Sequence, residues 1–272
     1  MSADAWIPKD VPLDRPSSAR MYDYFLGGWH NFAVDRQAAD AATAIYPDFP
    51  LVMRTNRAFL YRAVRFLVQQ GIDQLLDVGS GIPTVGNVHE VAQRLNPAAR
   101  VVYVDFDPIA VAHSEAILQG NSQAAVIQAD AREPEQILDH ALVRPLFDSG
   151  KPVAVLLAAV LHFVPDDAIA LHITSTLRDA MPPGSYLALS HATHDGLTAD
   201  VSEQLHRLYA RTTNPYTART QAEIAAFFDG LDMVEPGLVS TPLWRPERPD
   251  DLLVDDPARA AIYAGVGYKR IG

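Results

Sequence analysis

Apolar and polar positions along this chain repeat with two periods, and the points where the period changes mark its elements. From Leu51 to Gln70 the side chains of Phe59, Ala63, Phe66 and Leu67 recur at helical intervals, and Gly71 follows as a stop. Short strand-like runs then alternate with amphipathic stretches. The runs are Gln74–Val78, Val101–Asp105, Ala124–Gln128, Val153–Ala158 and Tyr186–Ser190. Between the first two, Asn87 and Glu90 form a capping-box pair, Val88, Val91, Ala92 and Leu95 make a buried stripe, and Asn96-Pro97 ends the helix. Pro108–Gln119 and Asp166–Ala180 are the next predicted helices, and Pro182-Pro183-Gly184 turns the chain into the fifth strand. A further helix is predicted from Thr220 to Gly230, with Thr220 and Glu223 as its capping box, and two more strands at Asp232–Val239 and Ile262–Lys269.

The β-α-β-α order predicts an α/β fold, a doubly wound and mostly parallel sheet with helices on both faces. Its central strands, such as LLDV and VAVLLAAV, are apolar throughout, as strands covered on both sides are. Residues 1–50 read as an N-terminal cap of short helices and loops, broken at Gly27-Gly28 and closed by Tyr46-Pro47-Asp48-Phe49-Pro50. Residues 51–272 read as the main domain, with an insertion at about 192–219 on the ligand-binding rim of the sheet.

Composition narrows the partners. The chain has 272 residues and is 49% hydrophobic, enough for one large globular domain. Lys and Arg number 22 against 33 Asp and Glu, a net charge of −11 that disfavours nucleic acid and anionic membranes as partners. There is no cysteine, so disulfides, thiolate nucleophiles and Cys-type zinc sites are excluded. The segment MSADAWIPKD lacks the apolar core of a signal peptide, and the longest apolar run, Val153–Val164, is shorter than the about 20 residues that cross a bilayer. A cytoplasmic location is the expectation.

The candidate chemistry sits at successive strand ends. The first strand leads into Asp77-Val78-Gly79-Ser80-Gly81-Ile82-Pro83, where two glycines let a ligand approach the backbone. A dinucleotide loop needs a third glycine where Thr84 stands, which argues against an NAD-dependent oxidoreductase. A ligand with one amino-acid carboxylate and a cation fits better, with Asp77 receiving an ammonium group. Asp105, at the end of the second strand, can accept from two ribose hydroxyls, and Phe106 can lie against an adenine face. Asp130, Ala131 and Arg132 follow the third strand, where a carboxylate and a backbone N–H suit an adenine edge. Singly, each element also fits a turn, a helix cap or a loop acid; in order, the three serve three parts of one nucleoside.

With these residues in place, the chain resembles a class I S-adenosylmethionine-dependent methyltransferase. More narrowly, it is similar to an S-adenosyl methyltransferase family once catalogued as a domain of unknown function. The resemblance is carried by ARMYDYFLGG, NRAFL, LLDVGSGIPTVGNVHEVAQ, RVVYVDFDPIAVAHS, DAREPEQIL, LLAAVLHFVPD, SYLALSHAT, TTNPYTARTQAEIAAFFDGLDMVEPGLV and YAGVGYKR, almost the full length. It implies a seven-stranded Rossmann-like sheet with the last strand antiparallel. S-adenosyl-L-methionine (SAM) would be the cofactor and S-adenosyl-L-homocysteine (SAH) the product. Asp77, Gly79 and Gly81, with Ser80 between, match the methionine loop, Asp105 the ribose acid, and Asp130 with Ala131 the adenine site. Pro83 departs from a glycine common in the superfamily, and Phe106 and Asp107 crowd the ribose corner, leaving Asp105 and Asp107 as alternatives there.

Methyl transfer asks mainly for positioning and desolvation. His162 follows the fourth strand as a candidate general base, or as a hydrogen-bonded histidine at a strand end. His191 is a second, weaker candidate on the acceptor side. His191, His194 and Asp195 lack a further ligand cluster, so no metal is expected. Arg54, Arg57 and Arg65 fall near one helical face with Tyr61, and Arg57 can orient a carboxylate or the cap. Tyr22, Tyr24, Phe25 and Trp29 form an aromatic group that packs the N-terminal segment or closes over a sulfonium, with Tyr24 and the fourth-strand Ala158 counted toward the cofactor. Tyr209–Arg219, with Asn214, Tyr216 and Arg219, is a candidate wall over the acceptor. The functional expectation is a methyltransferase acting on a small-molecule acceptor, with a non-catalytic SAM- or nucleoside-binding regulator as the alternative.

Overall fold

The computed structural model describes residues 14–82 and 86–271. Three helices, α1 (Ser18–Phe25), α2 (Ala33–Ile45) and α3 (Phe49–Gln69), precede the sheet. Then follow β1 (Gln74–Val78), α4 (Val88–Leu95), β2 (Arg100–Asp105), α5 (Pro108–Ile117) and β3 (Ala124–Gln128). Two short helices, α6 (Pro134–Asp139) and α7 (Arg144–Asp148), lead to β4 (Ala154–Ala158), α8 (Asp167–Ala180) and β5 (Tyr186–Ala192). The last part holds α9 (Ala199–Tyr209), α10 (Gln221–Ala225), β6 (Asp232–Met233), β7 (Val239–Ser240) and β8 (Ile262–Tyr268).

The strands form one sheet in the order β3-β2-β1-β4-β5-β8-β6, with β7 also paired to β8. β1 to β5 are parallel, and β8 runs antiparallel to β5. The order reverses between β1 and β4, so the crevice for a ligand opens at the carboxyl ends of these strands. The sheet has eight strands rather than seven, because the run Asp232–Val239 divides into β6 and β7. Pro236 has no N–H to donate and Gly237 sits at φ +89°, so pairing stops between them.

Alternation along the strands explains why both faces are covered. Leu76, Val78, Val102, Val104, Val155 and Leu157 point to one side and pack with Ile137, Ile173, Leu177 and Phe227. Leu75, Val101, Tyr103, Ala154 and Leu156 point to the other and pack with Phe59, Ala63, Leu67 and Val91. The stretch 192–219 is not shapeless, since α9 forms inside it and is capped by Thr198. Its Leu205 and Tyr209 join Met21, Phe25, Ala39, Ala42 and Phe49 in a third apolar cluster, built by α1, α2, α9 and the start of α3 over the strand ends.

Buried polar bonds fix α1 and α2 in place. Arg20 Nε donates to Asp35 Oδ2 at 2.8 Å with both side chains buried, and Asp35 Oδ1 accepts from the Ser17 N–H at 2.9 Å. The Asp23 carboxylate accepts from His30 N and Asn31 Nδ2. A Cβ on Gly28 would lie 2.0 Å from Asp23 Oδ1, so the loop after α1 requires glycine there. No helix among the described residues is long and apolar enough to cross a membrane.

Candidate active site

The crevice at the switch point is a cavity of about 320 Å³. β1 delivers Asp77 to it, and the chain then turns through Gly79 (φ +71°) and Gly81 (φ +66°). A Cβ on Gly79 would lie 2.4 Å from Val160 Cγ2, so only glycine fits where this loop passes the β4 end. The loop is tied to β2, because Gly79 N donates to Val104 O at 2.7 Å and Gly81 N to Asp105 Oδ2 at 2.7 Å.

Asp105 and Asp107 divide their work. Asp105 lines the cavity, and its Oδ1 accepts from Asp107 N at 2.8 Å. Asp107 lies outside the lining: its Oδ1 caps α5 through Ile109 N at 2.8 Å, and its Oδ2 accepts from Ser17 Oγ at 3.0 Å. Burial pushes the Asp77 carboxyl up to about 7, with Arg57 opposing the rise and Asp105 adding to it. Burial likewise pushes Asp105 up to about 6, against the N–H groups of Asp107 and Gly81 that favour its charge. Phe106, Asp130, Ala131, Arg132 and Ala158 also line the cavity. Arg132 Nε donates to Asp130 Oδ2 at 2.9 Å; burial raises the Asp130 carboxyl, but Arg132 outweighs it and holds the group below its ordinary value.

Arg57 reaches the cavity from α3. Its terminal nitrogen makes only long contacts, 3.4 Å to Gly86 O and to Asn87 Oδ1, and its Nε is buried with no partner among the described residues. Ser80 Oγ, on the glycine loop, is buried and unpartnered in the same way.

On the far side, His162 sits in the 3₁₀ turn Leu161–Phe163 after β4 and lines the cavity. Its Nδ1 faces the N–H of Ala192 at 3.3 Å, so Nδ1 is the acceptor and the ring proton resides on Nε2. Burial holds its imidazole well below the ordinary pKa, and the neighbouring His191 and Arg219 add to that. Tyr209 and Tyr216 line the cavity, with hydroxyls held protonated by burial.

Five candidates fall elsewhere. Tyr24 turns away, its hydroxyl donating to Asp40 at 3.2 Å on the exposed side, and it is Tyr22 and Phe25 that line the cavity. Asp107 is committed to the helix cap. His191 is fully buried behind the wall. Its Nε2 accepts from Arg219 at 2.8 Å, its Nδ1 donates to Ala192 O at 2.7 Å, and burial first, then Arg219, lowers its pKa to about 3. Arg219 is a buried strut rather than a wall, donating to Leu161 O, Val164 O and Asp167. Trp29 is 88% exposed, outside the cavity. Pro83 and Thr84 lie outside the described residues. No group of three or more His, Cys, Asp or Glu among the described residues is arranged to hold a metal ion.

One buried chain was not anticipated from sequence. Ala159, at φ +60°, donates its N–H to Ser190 Oγ at 3.0 Å. Ser190 Oγ donates to Asn56 Oδ1 at 2.6 Å, Asn56 Nδ2 donates to Tyr22 OH at 3.0 Å, and Tyr22 OH donates to Met53 O at 3.3 Å. It links the β4 and β5 ends to α3 and α1. Asn56, one turn of helix from the apolar Phe59 and Leu60, was its only signal, a polar residue inside a buried stripe.

Comparisons with known proteins identify the family and the fold. A family described as S-adenosyl methyltransferase matches residues 4–270. The chain belongs to that family. It is a SAM-dependent methyltransferase with a Rossmann-like fold. A solved structure of a candidate methyltransferase from Thermobifida fusca YX is 42% identical, with a TM-score of 0.88 over 95% of this chain and 97% of its own. A DUF574 family protein from Streptomyces avermitilis MA-4680 is 39% identical, with a TM-score of 0.87 over 95% and 100%. The N-methyltransferase NodS from Bradyrhizobium japonicum WM9, solved with SAH, shares the fold at 14% identity and a TM-score of 0.51, over 92% and 98%. A search of curated proteins found no match.

The methyltransferase's cavity fits its cofactor. SAM is an amino acid joined through a sulfonium to a nucleoside. The unpartnered Arg57 Nε and Ser80 Oγ, and two buried carboxyls with raised pKa, offer donors for a carboxylate and acceptors for an ammonium and for hydroxyls.

Proposed function

We propose that this methyltransferase acts on a small-molecule acceptor, with its cofactor along the ends of β1, β2 and β3 and the acceptor beyond β4. The observation that carries the reading is the grouping of Asp77, Asp105 and Arg57, whose Nε has no partner among the described residues, on one cavity. In this reading Asp77 takes the ammonium and Arg57 the carboxylate of the amino-acid end. Gly79, Ser80 and Gly81 form the close-fitting loop. Asp105 takes the ribose, using lone pairs left after its bonds from Gly81 and Asp107, while Asp107 only caps α5. Phe106, Asp130, Ala131 and Arg132 surround the adenine, and Ala158 adds apolar contact. A cytoplasmic location, without nucleic-acid or membrane partners, belongs to the same reading and rests on the charge of −11 and the lack of cysteine.

The bound cofactor supplies a methyl group already activated on a sulfonium. The residues of the chain then have to orient the acceptor and shield the sulfonium and its methyl group from water. Phe25 and Phe49 close the cavity from the α1–α3 side, and Tyr209 and Tyr216 from the α9 side. His162 serves as a hydrogen-bond donor through Nε2–H rather than as a base, since its Nδ1 lone pair is taken by the Ala192 N–H. The acceptor's proton then leaves to water.

Calorimetric titration with SAH tests the cofactor half. Wild-type protein should bind one equivalent, and Arg57→Ala, Asp77→Asn and Asp105→Ala should each weaken binding about tenfold or more, the scale of one charge-assisted hydrogen bond. Asp107→Asn, which keeps a capping side chain, should bind nearly as wild type. Folded protein that binds no SAH, or an Asp107 variant as weak as the Asp105 variant, would overturn the assignment. Label from methyl-tritiated SAM appearing in a small molecule of a cell extract would exclude a purely regulatory role.

A further inference from the structure

The cavity is divided by chemistry. Every charged side chain lining it among the described residues, Arg57, Asp77, Asp105, Asp130 and Arg132, belongs to the half assigned above to the cofactor. The other half presents an unbroken series of rings. Phe25 and Phe49 lie with centroids 5.1 Å apart, Phe49 and Tyr209 stack at 6.3 Å with 25° between planes, and Tyr209 and Tyr216 lie 5.3 Å apart at 34°. Tyr216 is 5.7 Å from the His162 ring, and Phe163 packs on Tyr209 at 6.1 Å. The series is contributed by α1, α3, the 3₁₀ turn after β4, α9 and the segment after it, so it is formed by the elements that cover the sheet rather than by the strand ends.

We infer that the methyl acceptor is an uncharged, flat aromatic molecule bearing hydroxyl oxygen, a phenol class, held among these rings with its oxygen near His162. The inference rests on the cofactor placement proposed above, which assigns the charged half. Flat aromatic bodies gain most from ring faces arranged this way. A carboxylate would meet only neutral donors, and an ammonium would meet no acid and would lie beside the sulfonium. The Tyr209 and Tyr216 hydroxyls stay protonated through burial, and neither makes a hydrogen bond among the described residues. With His162 Nε2–H they give three neutral polar groups suited to hydroxyl or ether oxygens.

The test uses the full chain saturated with SAH and three probes of one shape: 2-naphthol, 2-naphthoate and 2-naphthylmethylammonium. Binding is read by saturation-transfer NMR and by titration, independently of turnover. 2-Naphthol should bind about tenfold or more tighter than either charged probe, the effect of one unpaired buried charge. Tyr209→Phe and Tyr216→Phe, which keep the rings, should lower naphthol affinity about threefold to tenfold each, a neutral hydrogen bond's share, and leave SAH affinity unchanged. Normal SAH binding with no saturable naphthol binding, or with a charged probe bound as tightly, overturns this inference alone. Failure of SAH itself to bind overturns the cofactor placement, and this inference with it.

Discussion

Asp77 is buried beside a second acid, and its charge is costly until a cation arrives. Its carboxyl titrates near 7 in the folded chain, far above the about 3.9 of an unfolded aspartate. The folded state therefore holds this proton where the unfolded chain has lost it, so the group's contribution to stability falls as pH rises through that window, by a few kcal/mol in all. Ligand-free protein should accordingly gain thermal midpoint at alkaline pH on Asp77→Asn, and less at pH 5. A cationic ligand reverses the balance, because ammonium binding must first displace the proton below pH 7. SAH affinity should fall as pH drops from 8 to 5.5, with a flatter slope in Asp77→Asn; titrations across that range check it, and an equal slope in both proteins would remove Asp77 from the site. His162 adds no inflection near 6.5, since its imidazole is held well below that value. At this scale the strand-end acids and glycines were legible, because side-chain type and strand position together limit what they can touch. Arg219 and His191 were not: a guanidinium beside a cavity and one turned onto the carbonyls of Leu161 and Val164 have the same sequence. The choice between Asp105 and Asp107 also needed geometry, since either acid can cap α5.

Among elements, local signals were read best where a single residue pair decides the outcome. The Asn87–Glu90 and Thr220–Glu223 boxes start α4 and α10, and β1 and β3 occupy the expected residues. The helix from Thr220 is shorter than its pattern suggests, giving way to a 3₁₀ turn at Ala226–Phe228. α6, α7 and α9 were not assigned from sequence. The first two are only six and five residues long, too short for a helical period to register. α9 buries its Leu205 and Tyr209 against α1, α2 and α3, partners distant in sequence. Beside the Ser17–Asp107 bond, a buried tie from this cap to the sheet passes through Asn56. Asn56→Ala should leave the Ser190 O–H without its acceptor and the Tyr22 oxygen without its donor, and cost about 1–3 kcal/mol, measured by urea denaturation. A change within about 0.3 kcal/mol would show that the chain is not a structural tie.

At the scale of the molecule, the charge of −11 acquires a location as well as a sign. Three of the acids, Asp77, Asp105 and Asp130, line one half of the cavity, and Asp130 is neutralised within the protein by Arg132. Asp77 is left to meet a cation and Asp105 a ribose, and the aromatic half beyond them carries no charged side chain among the described residues. The fold that makes this division is a mostly parallel sheet whose strand ends are covered by helices from the first 50 residues and from the stretch 192–219. Its parallel strands were legible because a sheet covered on both faces leaves continuous apolar runs. Its cap was legible only as a segment, because packing between α1, α2 and α9 follows no local period. The division places the sulfonium cofactor, as proposed above, in the charged half of this cavity. A crystal structure of the protein grown with SAH tests it most directly. The ribose is expected on Asp105, the amino-acid carboxylate on Arg57 and the ammonium on Asp77. SAH seated outside this cavity, or with its ribose on Asp107, would contradict it.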